Sequence, residues 1–143
     1  MKVLLLAAAL SLITSGAALA AGDADAGKTV FKKCAACHTI GEGATNRVGP
    51  QLNALFGRVA GSTDYNYSTA MKDAGAGGLV WAPETLMHFL HKPKDFVPGT
   101  KMTFAGIADD AQLADLIAYL GTFSPDYVPA EPGAADAGSA PAQ

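Results

Sequence analysis

Long stretches rich in glycine and proline interrupt this chain, and they limit what it can fold into. The longest are residues 41–64 and 74–81, and neither has the periodic apolar pattern of a helix. No alternating strand pattern and no internal repeat is visible either. Structureless runs of this length are uncommon inside a compact domain. We therefore expect something other than regular secondary structure to organise the core.

Helical patterns with recognisable ends occur in three segments. The clearest is the last, in which Leu113, Leu116 and Leu120 share one face. Asp109, with Gln112 three residues later, resembles a capping box at the start of this segment. The sequence thus predicts an all-α fold with helices from Asp23 to about Cys34, from Pro83 to the residues before Pro93, and from Asp109 to Gly121.

Both ends of the chain are predicted to lie outside the folded domain. Residues 1–20 combine a basic start, an apolar run and the small-x-small sequence Ala18-Leu19-Ala20, the pattern of a secretory signal peptide cleaved after about Ala20. An uncleaved anchor is the alternative, although polar residues interrupt the run before it reaches the length of a membrane span. Residues 124–143 are rich in proline and alanine and carry only acidic charges, which predicts a disordered tail. Residues 21–123 remain as one domain.

The charge balance excludes one class of partner. The chain has 10 basic and 13 acidic side chains and a formal net charge of −3. Within residues 22–123 the balance is nine basic to ten acidic side chains. A protein that follows a nucleic-acid backbone needs a basic surface, so nucleic acid is not expected as a partner.

Both cysteines of the chain lie in Cys34-Ala35-Ala36-Cys37-His38. Cys-x-x-Cys-His is the attachment signature of c-type haem, because two thiols at this spacing can each add to one vinyl group of the same porphyrin. A thioredoxin-type dithiol, a structural disulfide and a zinc site are the competing interpretations. The adjacent histidine, the helical setting and the absence of further cysteines favour haem.

The sixth ligand of the iron would decide between an electron carrier and an enzyme with an open metal position. Met102 follows a turn stiffened by Pro98 and Gly99, which would present its thioether without a helix in the way. A neutral, soft sulfur ligand favours reduced iron and raises the potential. The other candidates are Met71, Met87, His88 and His91.

Five features follow one another along the chain: Cys34-Ala35-Ala36-Cys37-His38, Gly49-Pro50-Gln51-Leu52, Leu55-Phe56-Gly57-Arg58, Trp81 and Pro98-Gly99-Thr100-Lys101-Met102. Their order resembles that of the class I c-type cytochromes, in the mitochondrial cytochrome c branch and its bacterial periplasmic relatives of the c-two type. The resemblance covers residues 22–123. It implies a small all-α domain of three main helices, short helical turns and long loops wrapped around a covalently bound haem. It also implies that the first and last helices cross near Gly27, Phe31 and Tyr119.

The resemblance also implies roles for particular residues around one haem c. Two thioethers would hold the porphyrin, an imidazole and a thioether would ligate the iron, and a proline carbonyl would accept the imidazole proton. Polar side chains would hold a haem propionate, because a buried carboxylate needs hydrogen-bond donors. In this chain the resemblance implies that Cys34 and Cys37 form the thioethers, that His38 and Met102 ligate the iron, and that Pro50 provides the carbonyl. It also implies that a propionate is contacted by Arg58, Tyr67 and Trp81, and that Thr100 lies on the methionine side of the pocket.

This chain departs from the mitochondrial pattern in three places. Phe89 stands where those members carry a tyrosine, and Met71 stands where an asparagine is usual. Both changes make the distal side of the haem less polar. The glycine-rich residues 74–78 lengthen the loop before Trp81.

The expected function is that of a soluble periplasmic mono-haem carrier, monomeric and not an enzyme, that exchanges single electrons with membrane complexes and has no stable membrane insertion. The resemblance implies a quinol:cytochrome c oxidoreductase and a terminal oxidase or photosynthetic reaction centre as partners. A haem domain serving a periplasmic dehydrogenase or peroxidase is the alternative. Lysines near the haem motifs are expected to form a basic ring for brief electrostatic docking, namely Lys32, Lys33, Lys92, Lys94 and Lys101.

Overall fold

The structure is a computed structural model that describes residues 22–127. The predicted signal peptide and most of the predicted tail lie outside these residues. Five α-helices occur in the described part of the chain, and long loops join them. In chain order they are α1 (Ala24–Val30), α2 (Thr69–Ala76), α3 (Pro83–His91), α4 (Pro93–Phe96) and α5 (Asp110–Gly121).

The first predicted helix is present and ends as a tighter turn. The carboxylate of Asp23 accepts hydrogen bonds from the backbone N–H groups of Asp25 and Ala26, at 2.8 and 3.1 Å, and so caps α1. After Val30 the chain continues as a 3₁₀ turn at Phe31–Lys33 and reaches Cys34. The helix therefore delivers the chain directly to the cysteine motif.

The last predicted helix is also confirmed, with a difference at its cap. Asp109 accepts a hydrogen bond from the backbone N–H of Gln112 at 2.9 Å. The Gln112 side chain does not complete the predicted capping box, because its amide oxygen accepts from Lys33 Nζ at 2.8 Å. This bond joins the start of α5 to the turn that follows α1.

Helices α1 and α5 cross in close contact, as the resemblance implied. A Cβ atom at Gly27 would lie 1.9 Å from the Asp115 carbonyl oxygen and 2.8 Å from Tyr119 Cβ, so only glycine permits this approach. The rings of Phe31 and Tyr119 pack with their centroids 5.4 Å apart. The crossing fixes the cysteine motif relative to the last helix.

Helix α2 lies partly in a stretch that the sequence predicted to be irregular. Ser68 caps it by accepting a hydrogen bond from the backbone N–H of Met71 at 3.1 Å, and the helix ends at Gly77. Its alanines and glycine carry almost no apolar pattern, which is why periodicity alone missed it. Met71 is therefore placed by a helix, in a part of the chain where the sequence predicted none.

The predicted all-α class is confirmed. Helix α3 begins at Pro83 as expected, and Pro93 starts the short helix α4. The β-structure found in the described residues is one antiparallel bridge between Val59 and Val80. Within residues 22–127 no helix has both the length and the apolar character needed to cross a membrane.

Packing continues for four residues beyond the predicted end of the domain at 123. Ser124 is buried, and its hydroxyl accepts a hydrogen bond from the backbone N–H of Phe56 at 3.2 Å. Tyr127 packs against the ring of Phe56 with a centroid separation of 5.4 Å. The start of the predicted tail thus belongs to the packed structure.

Gly27→Ala should destabilise the protein by about 1–3 kcal/mol, the usual cost of forcing extra volume into a packed contact. The cause is the clash of the new methyl group with the α5 backbone. Denaturant unfolding measures the loss. Gly77→Ala is the control, because its nearest contact would be 3.3 Å. Equal stability losses in the two variants would contradict the close crossing.

Candidate cofactor site

A cavity of about 410 Å³ lies within the fold, and every residue to which the resemblance assigned a role at the haem lines it. The volume is within the range of about 300–1,000 Å³ typical of ligand pockets. The predicted residues that meet there are Cys34, Cys37, His38, Pro50, Arg58, Tyr67, Trp81, Thr100 and Met102.

The cysteine motif forms one helical turn at the edge of the cavity. The backbone N–H groups of Cys37 and His38 both donate to the carbonyl of Cys34, each at 3.0 Å. Both thiols are free and half-buried. Burial raises the pKa of the Cys34 thiol to about 11, so this thiol is protonated at neutral pH. The turn presents two thiols to a single group in the cavity.

His38 has one of its two nitrogens committed to the protein. Nδ1 donates to the carbonyl oxygen of Pro50 at 2.7 Å, the pair that the resemblance implied. Burial lowers the pKa of the imidazole, and the bond to Pro50 opposes that shift. A neutral imidazole with Nδ1 protonated has its lone pair on Nε2, the form in which histidine ligates a metal.

The backbone around Gly49 and Pro50 is fixed against the motif. Gly49 N–H donates to the Cys37 carbonyl at 2.9 Å, and Leu52 N–H donates to the Thr39 carbonyl at 3.0 Å. A Cβ at Gly49 would lie 2.4 Å from His38 Cε1. This glycine lets the backbone approach the imidazole closely enough for the bond from Nδ1.

Polar side chains line another part of the cavity. The Arg58 guanidinium donates to the backbone carbonyls of Gln51, at 3.1 Å, and Asn53. The Tyr67 hydroxyl is hydrogen-bonded to the Thr63 hydroxyl. Burial lowers the pKa of Arg58, while Tyr67 opposes that shift. Trp81 is buried against Phe89, with ring centroids 5.0 Å apart. A carboxylate would find donors here.

Two of the candidate sixth ligands line the cavity. Met102 is half-buried, and its backbone N–H donates to the Thr100 hydroxyl at 3.2 Å. Met71 is buried and carried by α2. The candidates Met87, His88 and His91 are not among the lining residues.

The sequence analysis assigned no role at the cofactor to the apolar residues that form much of the cavity wall. Their signal was the ordinary helical periodicity of α3 and α5, which marks a buried face without saying what it is buried against. Loop residues of the wall had no such signal. Both groups are represented by Leu52, Leu55, Leu86, Leu90, Phe104, Leu116 and Leu120.

These residues fit a porphyrin better than a bare metal ion. No cluster of three or more histidine, cysteine, aspartate or glutamate side chains able to hold a metal occurs in residues 22–127. Instead, two thiols, one committed imidazole and thioether sulfurs surround a largely apolar space, and Arg58 and Tyr67 supply donors for carboxylates. This donor set matches a covalently held, iron-containing tetrapyrrole with acidic side arms.

Comparison with known proteins defines the class of this chain as a haem-binding electron carrier. The family model described as cytochrome c matches residues 24–124. Cytochrome c2 of Agrobacterium tumefaciens is 56% identical over 111 residues, covering 77% of this chain and 99% of that protein. Cytochrome c2 of Afifella marina is 53% identical over 105 residues, covering 73% of this chain and 85% of that protein.

Solved structures agree. Cytochrome c2 from Rhodospirillum centenum superposes with a TM-score of 0.70 at 39% identity, covering 73% of this chain and 100% of that one. Cytochrome cH from Methylobacterium extorquens has a TM-score of 0.64 at 44% identity, covering 71% and 99%. This chain belongs to the cytochrome c family. Its fold is that of a class I cytochrome c, its cofactor is covalently bound haem c, and its class is one of electron carriers and not of enzymes.

Gly49→Ala should tilt the His38 imidazole away from Pro50, because the new methyl group would overlap the ring. We expect a stability loss of about 1–3 kcal/mol in denaturant unfolding. The Nδ1 proton of His38 should also exchange faster with solvent, as measured by NMR on the haem-loaded protein. An unchanged Nδ1 signal would show that the close approach at Gly49 does not position the imidazole.

Proposed function

We propose that this chain is a periplasmic mono-haem carrier that shuttles single electrons between membrane complexes, with His38 and Met102 as the two axial iron ligands. The observation that carries the proposal is the meeting of both thiols, the committed imidazole and Met102 at one cavity. The donor complex would be a quinol:cytochrome c oxidoreductase and the acceptor a terminal oxidase or photosynthetic reaction centre. Export follows from the signal-peptide pattern in residues 1–20, with cleavage after about Ala20.

Cys34 and Cys37 would hold the porphyrin, and His38 would bind the iron through Nε2. The Pro50 carbonyl keeps Nδ1 protonated and makes the imidazole a stronger donor. The loop at Gly49 would limit rotation of the ring, because its backbone approaches so closely that a Cβ atom would lie 2.4 Å from Cε1. These contacts hold the ligand geometry constant while the charge on the iron changes.

Met102 is a better candidate for the second ligand than Met71, although both line the cavity. Met71 lies within α2 and is buried among core side chains. Met102 lies on a loop that turns at Gly99, where φ is +93° and the backbone is free to change direction. Met102 would therefore hold the iron from a partly exposed loop, whereas Met71 is packed within the core.

Haem iron supplies the one-electron couple, and the protein sets the conditions for its use. The apolar wall excludes water and disfavours the additional positive charge of the ferric state, and a neutral sulfur ligand acts in the same direction. We therefore expect a positive midpoint potential. With His38 and Met102 both holding the iron, the site would exchange electrons without binding a substrate.

Only part of the basic ring expected from the sequence adjoins the cavity. Lys33 and Lys101 are exposed and line its rim. Lys92 instead forms an ion pair with Asp95 at 3.7 Å. Lys33 and Lys101 are therefore the residues that would guide a partner of opposite charge to the haem edge.

Met102→Leu should abolish the weak far-red absorption that sulfur ligation gives to oxidised haem, and should lower the midpoint potential. Leucine conserves volume, so the variant should still fold. Met71→Leu is the matched control and should keep the band, since it removes a thioether from the same cavity. An optical redox titration measures both effects. If Met71→Leu loses the far-red band and Met102→Leu keeps it, the assignment of the ligand is reversed. High-spin spectra in the unmutated protein would favour a peroxidase.

Lys101→Glu should slow reduction of the carrier by its membrane donor several-fold at low salt, with the difference shrinking as ionic strength rises, because salt screens exposed charges. Stopped-flow rates over a salt series provide the measurement. Lys72→Glu makes the same charge change at an exposed position that does not line the cavity. If the two variants behave alike, net charge alone governs docking.

A further inference from the structure

We infer that residues 124–127, together with the end of α5, form a C-terminal clasp that positions Arg58 at the haem cavity, with Ser124 as the positioning residue. The inference rests on the proposed role of Arg58 as a donor to a haem propionate. It concerns a segment that extends past residue 124, where the match to the family model ends.

The loop that carries Arg58 is anchored to the clasp by two hydrogen bonds. Ala54 N–H donates to the Phe123 carbonyl at 2.8 Å, and Phe56 N–H donates to the Ser124 hydroxyl at 3.2 Å. Both anchors lie within four residues of Arg58. The loop cannot move away from the end of α5 without breaking them.

The anchored backbone is strained, so it needs those bonds. Ala54 has φ +50°, and it is the only described residue other than glycine with a positive φ. An alanine in the left-handed region costs of the order of 1 kcal/mol and persists only where its surroundings hold it. The bond from Ala54 N–H to Phe123 is the contact that does so.

The left-handed backbone at Ala54 sets the position of a carbonyl that accepts a hydrogen bond from Arg58. Asn53, whose carbonyl accepts from Arg58, immediately precedes Ala54, and Arg58 N–H donates to the Leu55 carbonyl at 3.2 Å. The guanidinium is thus held by the same short loop that the clasp holds. A change of backbone direction at Ala54 would move the Asn53 carbonyl and release one side of the guanidinium.

The clasp also lies beside the outer face of the same loop. An open groove runs between residues 54–58 and 124–127, and Arg58 lines both this groove and the haem cavity. Tyr127 covers Phe56, and its Cδ2 lies within contact distance, 3.7 Å, of a Cβ built at Gly57. Arg58 therefore lies between the haem cavity and the groove that the clasp borders.

Fixing Arg58 has an electrochemical consequence. A held cation lowers the pKa of a nearby carboxylate and keeps it ionised in both oxidation states. If the cation is loose, the carboxylate pKa rises towards neutral pH, and reduction of the iron becomes coupled to proton uptake. The midpoint potential then falls as pH rises through that range.

The test compares Ser124→Ala, Ser124→Thr and Thr122→Ala in the haem-loaded protein. Ser124→Ala should speed amide hydrogen exchange at Ala54 and Arg58 about two- to tenfold, the factor expected for one hydrogen bond. It should also give the midpoint potential a downward slope between about pH 5 and pH 8 that the unmutated protein lacks. Ser124→Thr keeps the hydroxyl and should restore both properties.

Thr122→Ala is the matched control, since it removes a hydroxyl that bonds only within the end of α5, to the Tyr119 carbonyl. Tyr127→Ala provides a second way to loosen the clasp. The double variant Ser124→Ala/Arg58→Lys is compared with Arg58→Lys alone. If Ser124→Ala still adds a pH-dependent slope to the midpoint potential there, Ser124 does not act through Arg58. Faster exchange with a flat potential, no change in either measurement, or an equal change in Thr122→Ala would each overturn the inference.

These outcomes are separate from those that test the proposed function. The exchange rates of Ala54 and Arg58 do not depend on which side chain is the sixth ligand. A far-red band that survives Met102→Leu would refute the ligation while leaving the clasp intact.

Discussion

The interior of this protein is arranged around a space that its own side chains do not fill. Buried residues from the 3₁₀ turn, α3 and α5, among them Phe31, Leu86 and Leu116, line a cavity instead of packing only against one another. An unfilled apolar cavity forfeits both dispersion contacts and the full benefit of burial. Covalently bound haem c would supply the missing surface, so the cofactor orders the long loops together with their hydrogen bonds to the cysteine motif and to the residues after α5. This resolves the conflict between so little regular structure and a compact domain.

The contact between α1 and α5 has a specific role. The crossing of α1 and α5 at Gly27 fixes the point from which the chain enters the cysteine turn, and the Lys33–Gln112 bond repeats that link one turn later. The other wall is held from the opposite end of α5, through Phe123 and Ser124. One helix therefore sets the positions of both the cysteine motif and the Arg58 loop. A fixed distance between attachment point and propionate donors suits a redox centre whose geometry must not change with charge.

Local signals in the sequence predicted what local interactions determine. The caps Asp23 and Asp109 and the prolines at α3 and α4 gave the helix ends, and the cysteine motif gave the cofactor. Helix α2 was missed because it rests on one cap, Ser68, and on tertiary contacts of Met71 and Gly75. The alternative use of Gln112 and the packing of Ser124 were missed for the same reason. Each depends on a partner far away in the sequence, and one sequence contains no record of such pairs.

The wall of the cavity is apolar at two positions where the sequence departs from the mitochondrial pattern that it resembles. Phe89 packs on Trp81, and Met71 is buried in the same core. Fewer polar groups leave less to stabilise ferric iron, and less to attract water towards the sixth ligand. Arg58 and Tyr67 are among the polar residues that remain in the wall, and Tyr67 is hydrogen-bonded to Thr63. In a largely apolar site, the placement of a single guanidinium has more influence on the potential than it would in water, because charges interact more strongly in a low-dielectric environment.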